Sequence, residues 1–406
     1  MPTVDIPAQR MDPTGVAAGV KRFRADELGQ SIRGFDWPLL LAALGLSICS
    51  LVVINGATGD DVTGSPDYYV IRQGVFAAIG IVLMLLVSRI DYTRLREYRT
   101  QIYAFLILSN IFVLLIGSVG RGSRRWVDIG FFQIQPSELG KVLLILTLAG
   151  FIADRARDRS GRGIMLPVLG LAAIPAALVF IQPDLGTALV YGAITLTMLF
   201  IAGVPWQQMT ALLMTIVLIA TMVLWAAPAA GVKILHDYQV DRLTSFLSPQ
   251  SDPSGQAYQQ IQAQIAIGSG ERVGRGVEES TQTQLDFLPE HHTDFIFAVV
   301  GESYGFAGAA VVLTLYALLM WRGMRILASA RDQFGALIAA GVVAIFLFQV
   351  FVNVGMNIGI MPITGVTLPL MSYGGASMLS TFIALGLLES VAVHSRGARN
   401  GGPAIL

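Results

Sequence analysis

The residues best placed to do chemistry lie in one stretch, 282–302, which reads QTQLDFLPEHHTDFIFAVVGE. Asp286, Glu290, His291, His292, Thr293 and Asp294 crowd its polar half, and an apolar run begins at Phe295 with no linker between them. A carboxylate where water meets lipid is a candidate for proton transfer, and Asp294 is the one nearest that boundary. Thr293 is expected to cap the following helix, which puts Asp294 in the first turn. A helix N-terminus lowers an Asp pKa and burial raises it, so the electrostatics pull both ways. His291 and His292 are adjacent, which is not a zinc-ligand spacing.

Three other groups carry charge at apolar boundaries. Arg124-Arg125-Trp126 precedes QPSELGK, in which Pro136 starts a helix, Ser137 is a natural N-cap, and Glu138 and Lys141 share a helix face. Arginine binds phosphate through its planar fork, so these residues could line a phosphate-binding cavity. A plain helix-start ion pair with headgroup contacts explains them as well. Asp184, in QPDLGT, could cap the next helix, order the basic groups, or do both. Glycines 268, 270, 274 and 276 suggest a flexible, lid-like loop, and a plain loop is the simpler reading. Residues 257–267 read as an amphipathic helix on the outer surface.

These groups must be positioned by helices in lipid. Of 406 residues, 54% are hydrophobic and only 13% charged, with mean hydropathy +0.65. Soluble domains carry about 25% charged residues. Recurrent apolar runs match the length that crosses a hydrocarbon core, and backbone in lipid must satisfy itself within helices or closed barrels. No alternating barrel strands are visible. The expected fold is all-α and polytopic, with ten transmembrane helices at 37–57, 70–90, 101–119, 138–153, 165–181, 186–204, 207–227, 294–321, 333–356 and 376–395. A cytoplasmic tail spans 1–35, ending in a short surface helix, and a membrane domain spans 36–396. A large extracytoplasmic loop, 228–293, separates spans seven and eight, and 397–406 form a second cytoplasmic tail.

With these spans, 18 of the 27 Lys and Arg residues fall on one side and 8 on the other. The positive-inside rule then places both termini in the cytoplasm of a multi-pass bacterial inner-membrane protein. All the suspect groups fall on the outer side. Residues 357–376 are apolar but broken by Pro362, Pro369 and Gly374-Gly375, and are expected to be re-entrant. Zero net charge gives no reason to expect a nucleic-acid partner, and no P-loop or dinucleotide fingerprint is visible. The single Cys49 cannot form an intramolecular disulfide. No signal peptide is expected from the N-terminal residues.

The blocks GSRRWVDIGFFQIQPSELGK, FIQPDLGTA, QLDFLPEHHTDFIFAVVGE and GIMPITGVTLPLMSYGGAS occur in this order. Together they resemble the SEDS family (shape, elongation, division and sporulation). The block TQTQLDFLPEHHTDFIFAV resembles the elongation member more than the division member. The resemblance implies a ten-span peptidoglycan glycosyltransferase that polymerises lipid II outside the cytoplasmic membrane. It implies a class B penicillin-binding protein, a transpeptidase, as partner, with other elongation-complex membrane proteins nearby. The essential outer-loop aspartate of the family falls on Asp294, its charged cavity residues on Glu138, Lys141 and Asp184, and its Arg-Trp pair on Arg125 and Trp126.

The implied chemistry is attack of a sugar hydroxyl on an anomeric carbon as an undecaprenyl pyrophosphate leaves. Asp294 would be the general base, and Arg124, Arg125 and Lys141 would meet the developing negative charge. His292 would support Asp294 from the substrate side. No organic cofactor is expected, and a divalent cation, magnesium or manganese, is a candidate helper at the pyrophosphate. One carboxylate fits direct, inverting displacement; Asp286 and Glu290 leave a covalent route open. The rival classes are a lipid II flippase, which would place charges near the midplane in paired repeats, and a scaffold. Two segments depart from the family pattern: Gly268-Ser269-Gly270-Glu271-Arg272 where relatives often read GSGG, and Gly301-Glu302-Ser303-Tyr304-Gly305 where they often read GEELG.

Overall fold

The computed structural model describes residues 34–58, 65, 67–120, 123–130, 132–155, 163–223, 256–285 and 287–399. Among them, seven helices are long and apolar enough to cross a membrane: α1 (Trp37–Ala57), α2 (Tyr68–Ser88), α3 (Arg99–Ile116), α4 (Pro136–Arg155), α10 (Ile296–Ser329), α11 (Gln333–Asn357) and α12 (Gly375–Arg399). Three shorter apolar helices, below that length, lie where the other three spans were expected: α5 (Met165–Ile181), α6 (Leu185–Ile201) and α7 (Trp206–Thr221). Two more, α8 (Gln256–Ser269) and α9 (Thr281–Gln284), lie between α7 and α10. The protein is a multi-pass helical membrane protein. The short surface helix expected before residue 35 and Asp286 lie outside the described residues.

Burial divides the helices. About three quarters of the apolar windows of α4 (78%), α11 (72%) and α12 (78%) are buried, against 17% in α3 and 28% in α2. The first three therefore form the centre, and α2 and α3 face outward. Lipid offers no hydrophobic drive between helices, so close packing of small residues has to bring them together. At Gly386 of α12 a Cβ would lie 2.7 Å from the Met84 carbonyl of α2, closer than real Cβ atoms come.

One end of the bundle is tied by charge. Asp36, fully buried, caps α1 by accepting from the Leu39 amide at 3.3 Å and from Arg322 Nε of α10 at 2.9 Å. Glu389 of α12, also fully buried, accepts from the Asp36 amide. Arg96 Nε reaches Asp154 at 2.7 Å, with Arg99 pairing to the same carboxylate. Tyr92 donates to Asp332 Oδ2 at 3.1 Å, while Asp332 Oδ1 caps α11 through the Gly335 amide.

The opposite end departs from regular helix in three places. Residues 118–134 fold as a small antiparallel sheet, β1 (Ser118–Gly120), β2 (Ser123–Ile129) and β3 (Phe132–Ile134), in that order. Val127 pairs with Ile134 and Ile129 with Phe132 across a turn in which Gly130 has φ +60°, a conformation natural to glycine. This sheet qualifies the all-α expectation, and α3 ends at Ile116 where the expected span ran to 119. Residues 358–374 carry no helix; Ile358 and Ile360 are exposed, and the part from 363 to 372 is mostly buried, with Leu368, Leu370 and Met371 at 0–1% exposure. This matches the expected re-entrant character: irregular backbone buried in protein.

The third departure is a break in α10 at Gly305, where φ is +62° and ψ −159°, a region open essentially to glycine alone. An unbroken helix would bond the amides of residues 306 and 307 to the carbonyls of residues 302 and 303. Here the Phe306 amide donates to the Glu271 carbonyl and the Ala307 amide to the Arg272 carbonyl, both at 3.0 Å. The freed Glu302 and Ser303 carbonyls accept from the Arg275 and Gly276 amides, at 3.0 and 3.1 Å. These four groups are re-satisfied by the loop, as a low-dielectric setting demands. Approach this close needs small residues: a Cβ at Gly270 would fall 1.8 Å from the Gly301 carbonyl oxygen. The glycine-rich loop is therefore a docked strap. The two segments that depart from the family pattern are the two that meet here.

Candidate active site

The helix after the HHTDF block starts at Ile296 with Phe295 at its N-cap and no side-chain cap bond. Asp294 thus precedes the helix instead of sitting in its first turn. Thr293 does not cap it either: its hydroxyl turns back to Glu290, 3.3 Å from the carbonyl and 3.0 Å from Oε2. Sequence reasoning missed this because Glu290 takes φ +57°, a sharp reversal that recruits the threonine locally. Asp294 is half-buried beside Phe295 and Phe297, which are 1% and 4% exposed.

Three successive carbonyls of this turn are held from outside it. The His292 carbonyl accepts from the Tyr373 amide at 2.9 Å, and the Thr293 carbonyl from the Ser372 hydroxyl at 2.6 Å. The Asp294 carbonyl accepts from Asn353 Nδ2 at 2.9 Å and Asn357 Nδ2 at 3.3 Å. The His292 ring packs 4.8 Å from Tyr69 and 5.8 Å from Tyr373, centroid to centroid, with His291 at 5.2 Å. His291 is buried, and its Nδ1 lies 3.2 Å from the Leu288 carbonyl. These imidazoles are set in an aromatic wall beside Asp294.

Glu138 and Lys141 pair as their spacing predicts, 2.7 Å apart, with side chains 8% and 3% exposed. They border a small cavity also lined by Ile345, Phe346, Ser380 and Thr381. Ser137 lies inside α4, behind Pro136 at its first position, so it is not a cap; its hydroxyl points to Asp184 Oδ2 at 3.5 Å. Asp184 does cap α6, through the Thr187 amide at 3.1 Å, and also accepts from Gln135 at 2.9 Å. It is met by neutral donors, and Arg125 instead binds the backbone of the same turn: Nε donates to the Gln182 carbonyl at 2.9 Å, and a terminal nitrogen donates to the Pro183 carbonyl. Trp126 is half-buried on β2 and paired in register with Ser118. Arg124 lies on the same strand, paired with Val119, and its side chain falls outside the described residues.

The start of α12 joins the two groups. Tyr373 and Ser372 touch the Asp294 turn, and Ser380 lies 3.4 Å from Glu138 Oε2. From Gly375 to Ser380 is about 8 Å of helix at ~1.5 Å per residue. The structure thus brings Asp294, His292, Glu138, Lys141, Asp184 and Arg125 to one end of the bundle. Chemically this sets a half-buried carboxylate against an aromatic wall, with cations elsewhere at the same end of the bundle, and general-base and anion-stabilising chemistry need both kinds of group.

The chain matches the model of a cell cycle protein family named for FtsW, RodA and SpoVE over residues 36–397. It is 37% identical to the peptidoglycan glycosyltransferase MrdB of Escherichia coli K12, over 89% of this chain and 94% of that protein. It is likewise 37% identical to a probable peptidoglycan glycosyltransferase FtsW of Aliivibrio salmonicida, over 87% of this chain and 88% of that one. A solved structure described as showing structural coordination of polymerization and crosslinking by a peptidoglycan synthase complex superposes with a TM-score of 0.73. It is 30% identical and covers 89% of this chain and 98% of that one.

Proposed function

The chain belongs to the FtsW, RodA and SpoVE family of cell cycle proteins, and on that premise we propose that it is a peptidoglycan glycosyltransferase that polymerises lipid II at the outer face of the cytoplasmic membrane. The observation that carries the reading is the half-buried Asp294, on a turn fixed by three carbonyl contacts and at the bundle end that also holds Arg125, Glu138 and Lys141. Identity does not separate the branches, at 35% to a relative named RodA and 34% and 37% to two named FtsW. Assignment to cell elongation and shape maintenance rests instead on the TQTQLDFLPEHHTDFIFAV block.

Asp294 acts as general base, taking the proton of the attacking sugar hydroxyl as that oxygen bonds to the anomeric carbon of the donor. The carbon's bond to the lipid pyrophosphate breaks on the opposite side, so the anomeric configuration inverts. Pyrophosphate is a good leaving group and needs positive charge more than a proton. Arg124, Arg125 and Lys141 supply that charge, with Glu138 and Asp184 holding the local geometry and Trp126 and His292 shaping the substrate side. Among the described residues no three His, Cys, Asp or Glu side chains gather. A divalent helper would therefore be held chiefly by pyrophosphate oxygens and water, as magnesium usually is.

The ends of α1, α10, α11 and α12 that carry the buried charge pairs would face the cytoplasm, with both chain termini. The working partner is a class B penicillin-binding protein, in line with the synthase complex whose structure this chain resembles. Purified protein given lipid II tests the reading. Wild type should form glycan strands and Asp294→Asn should not, while keeping its fold and its partner. Normal strands from that variant would remove Asp294 from the mechanism. Lipid translocation without strands would instead reveal a flippase, and neither activity would leave a scaffold.

A further inference from the structure

Resting on the reading of Asp294 as the base, we infer that Asn353 and Asn357 are positioning residues that, with Ser372, fix the direction in which its carboxylate points. Both asparagines are fully buried, although each amide is costly to bury unless bonded. They stand four apart at the end of α11, so they share a helix face and reach one acceptor. Asn353 Nδ2 divides its two hydrogens between the Asp294 carbonyl at 2.9 Å and the Val366 carbonyl at 2.8 Å. Asn357 Nδ2 donates to the Asn353 carbonyl at 2.8 Å and to the Asp294 carbonyl at 3.3 Å. Asn357 Oδ1 accepts from the Ala298 amide, in the first turn of α10, at 3.1 Å.

The effect is specific to the turn. Residue 294 has no helical ladder behind it, because the helix starts at Ile296. The peptide that follows it is held at its carbonyl by the two asparagine amides and at its Phe295 N–H by the Glu290 carbonyl at 3.3 Å, and the asparagines are the part of this hold that lies in the bundle. The Ser372 hydroxyl, itself fixed by the Leu368 amide at 2.8 Å, sets the preceding peptide. The side chains that hold these carbonyls all come from residues 353–373, while on the loop side the Thr293 and Phe295 amides donate to the Glu290 carbonyl at 3.1 and 3.3 Å, so the bundle aims the base together with the loop that carries it. Neutral amides suit this task, because a charged clamp would compete with Asp294 for its proton and for the pyrophosphate.

The test uses two variants of the full chain. Asn353→Leu is near-isosteric and uncharged; Asn357→Asp removes the donor yet keeps an acceptor for the Ala298 amide. Each should lower kcat for lipid II polymerisation, counted per folded molecule, about 100-fold, the scale of a ~1 Å misplacement, with KM close to wild type, and should lower the melting temperature because buried carbonyls lose their donors. A second readout needs no catalysis. In a Cys49→Ser background, the rate at which Asp294→Cys reacts with a methanethiosulfonate reagent should shift several-fold when either asparagine is replaced, while a cysteine at exposed Phe287 keeps its rate. Wild-type kcat with unchanged labelling would overturn the inference. So would a fall in kcat that merely follows loss of folded protein. Full activity of Asp294→Asn would defeat the base reading alone, and the labelling rates would still decide the clamp.

Discussion

The two ends of the helix bundle solve the same problem with different chemistry. At the end with Asp36, Arg322, Asp154 and Asp332, helices are joined by charge and started by capping carboxylates. At the opposite end, neutral side chains of Ser50, Gln73, Asn353, Asn357 and Ser372 hold irregular backbone by its carbonyls. The difference teaches where ionisable groups are structural. The buried Asp36–Arg322 pair tolerates little change at the first end, whereas at the second the turn that carries Asp294 is held by neutral side chains, and charged groups hold backbone farther from it, at Arg125, Asp184 and Glu302.

The sharpest way to break this contrast is Asp294→Asn. It should cut polymerisation by about 10²–10⁴, the usual worth of a general base, with melting temperature unchanged, as turnover and thermal unfolding of the detergent-purified protein would report. Next in size, Asp36→Ala leaves Arg322 without its buried partner and should lower stability by about 3–5 kcal/mol, while the specific activity of protein that remains folded stays near wild type. An active-site phenotype from Asp36→Ala would erase the distinction between the two ends. Gly305→Ala should cost about 1–3 kcal/mol of backbone strain, and its Cβ would sit 2.3 Å from the Gly274 amide. Faster proteolysis within residues 268–280 is the expected sign that the strap has lifted. The smallest effect belongs to Ser50→Ala, which removes a 2.7 Å bond to the Met371 carbonyl and should cost about 1 kcal/mol, visible as a small drop in denaturation midpoint.

What the sequence made legible was local. Apolar runs placed most helix ends to within a few residues, but α10 runs to Ser329 where its span was expected to end at 321. The three-residue spacing of Glu138 and Lys141 forecast their pair, and the QPD turn forecast the Asp184 cap. The short sheet at 118–134 left a faint trace, the alternation of VDIG against FFQI around a glycine. The strap was read as a plain, flexible loop because its partners sit some 30 residues away, on a helix that looks continuous in sequence. The amides that hold Asp294 lie 59 and 63 residues from it. No periodicity links an asparagine to a distant carbonyl, and in an apolar helix such residues read only as polar exceptions.

The segment 358–374 also bears on how the protein is made. It bonds to Ser50 across 321 positions of chain and to Gln73 across 299, and it supplies the partners of the His292 and Thr293 carbonyls. A nascent chain that has inserted every apolar helix up to α11 still lacks those contacts. Competence at Asp294 therefore arrives with the final helix in biosynthesis, and an unfinished molecule in the membrane has the residues of the site without its geometry.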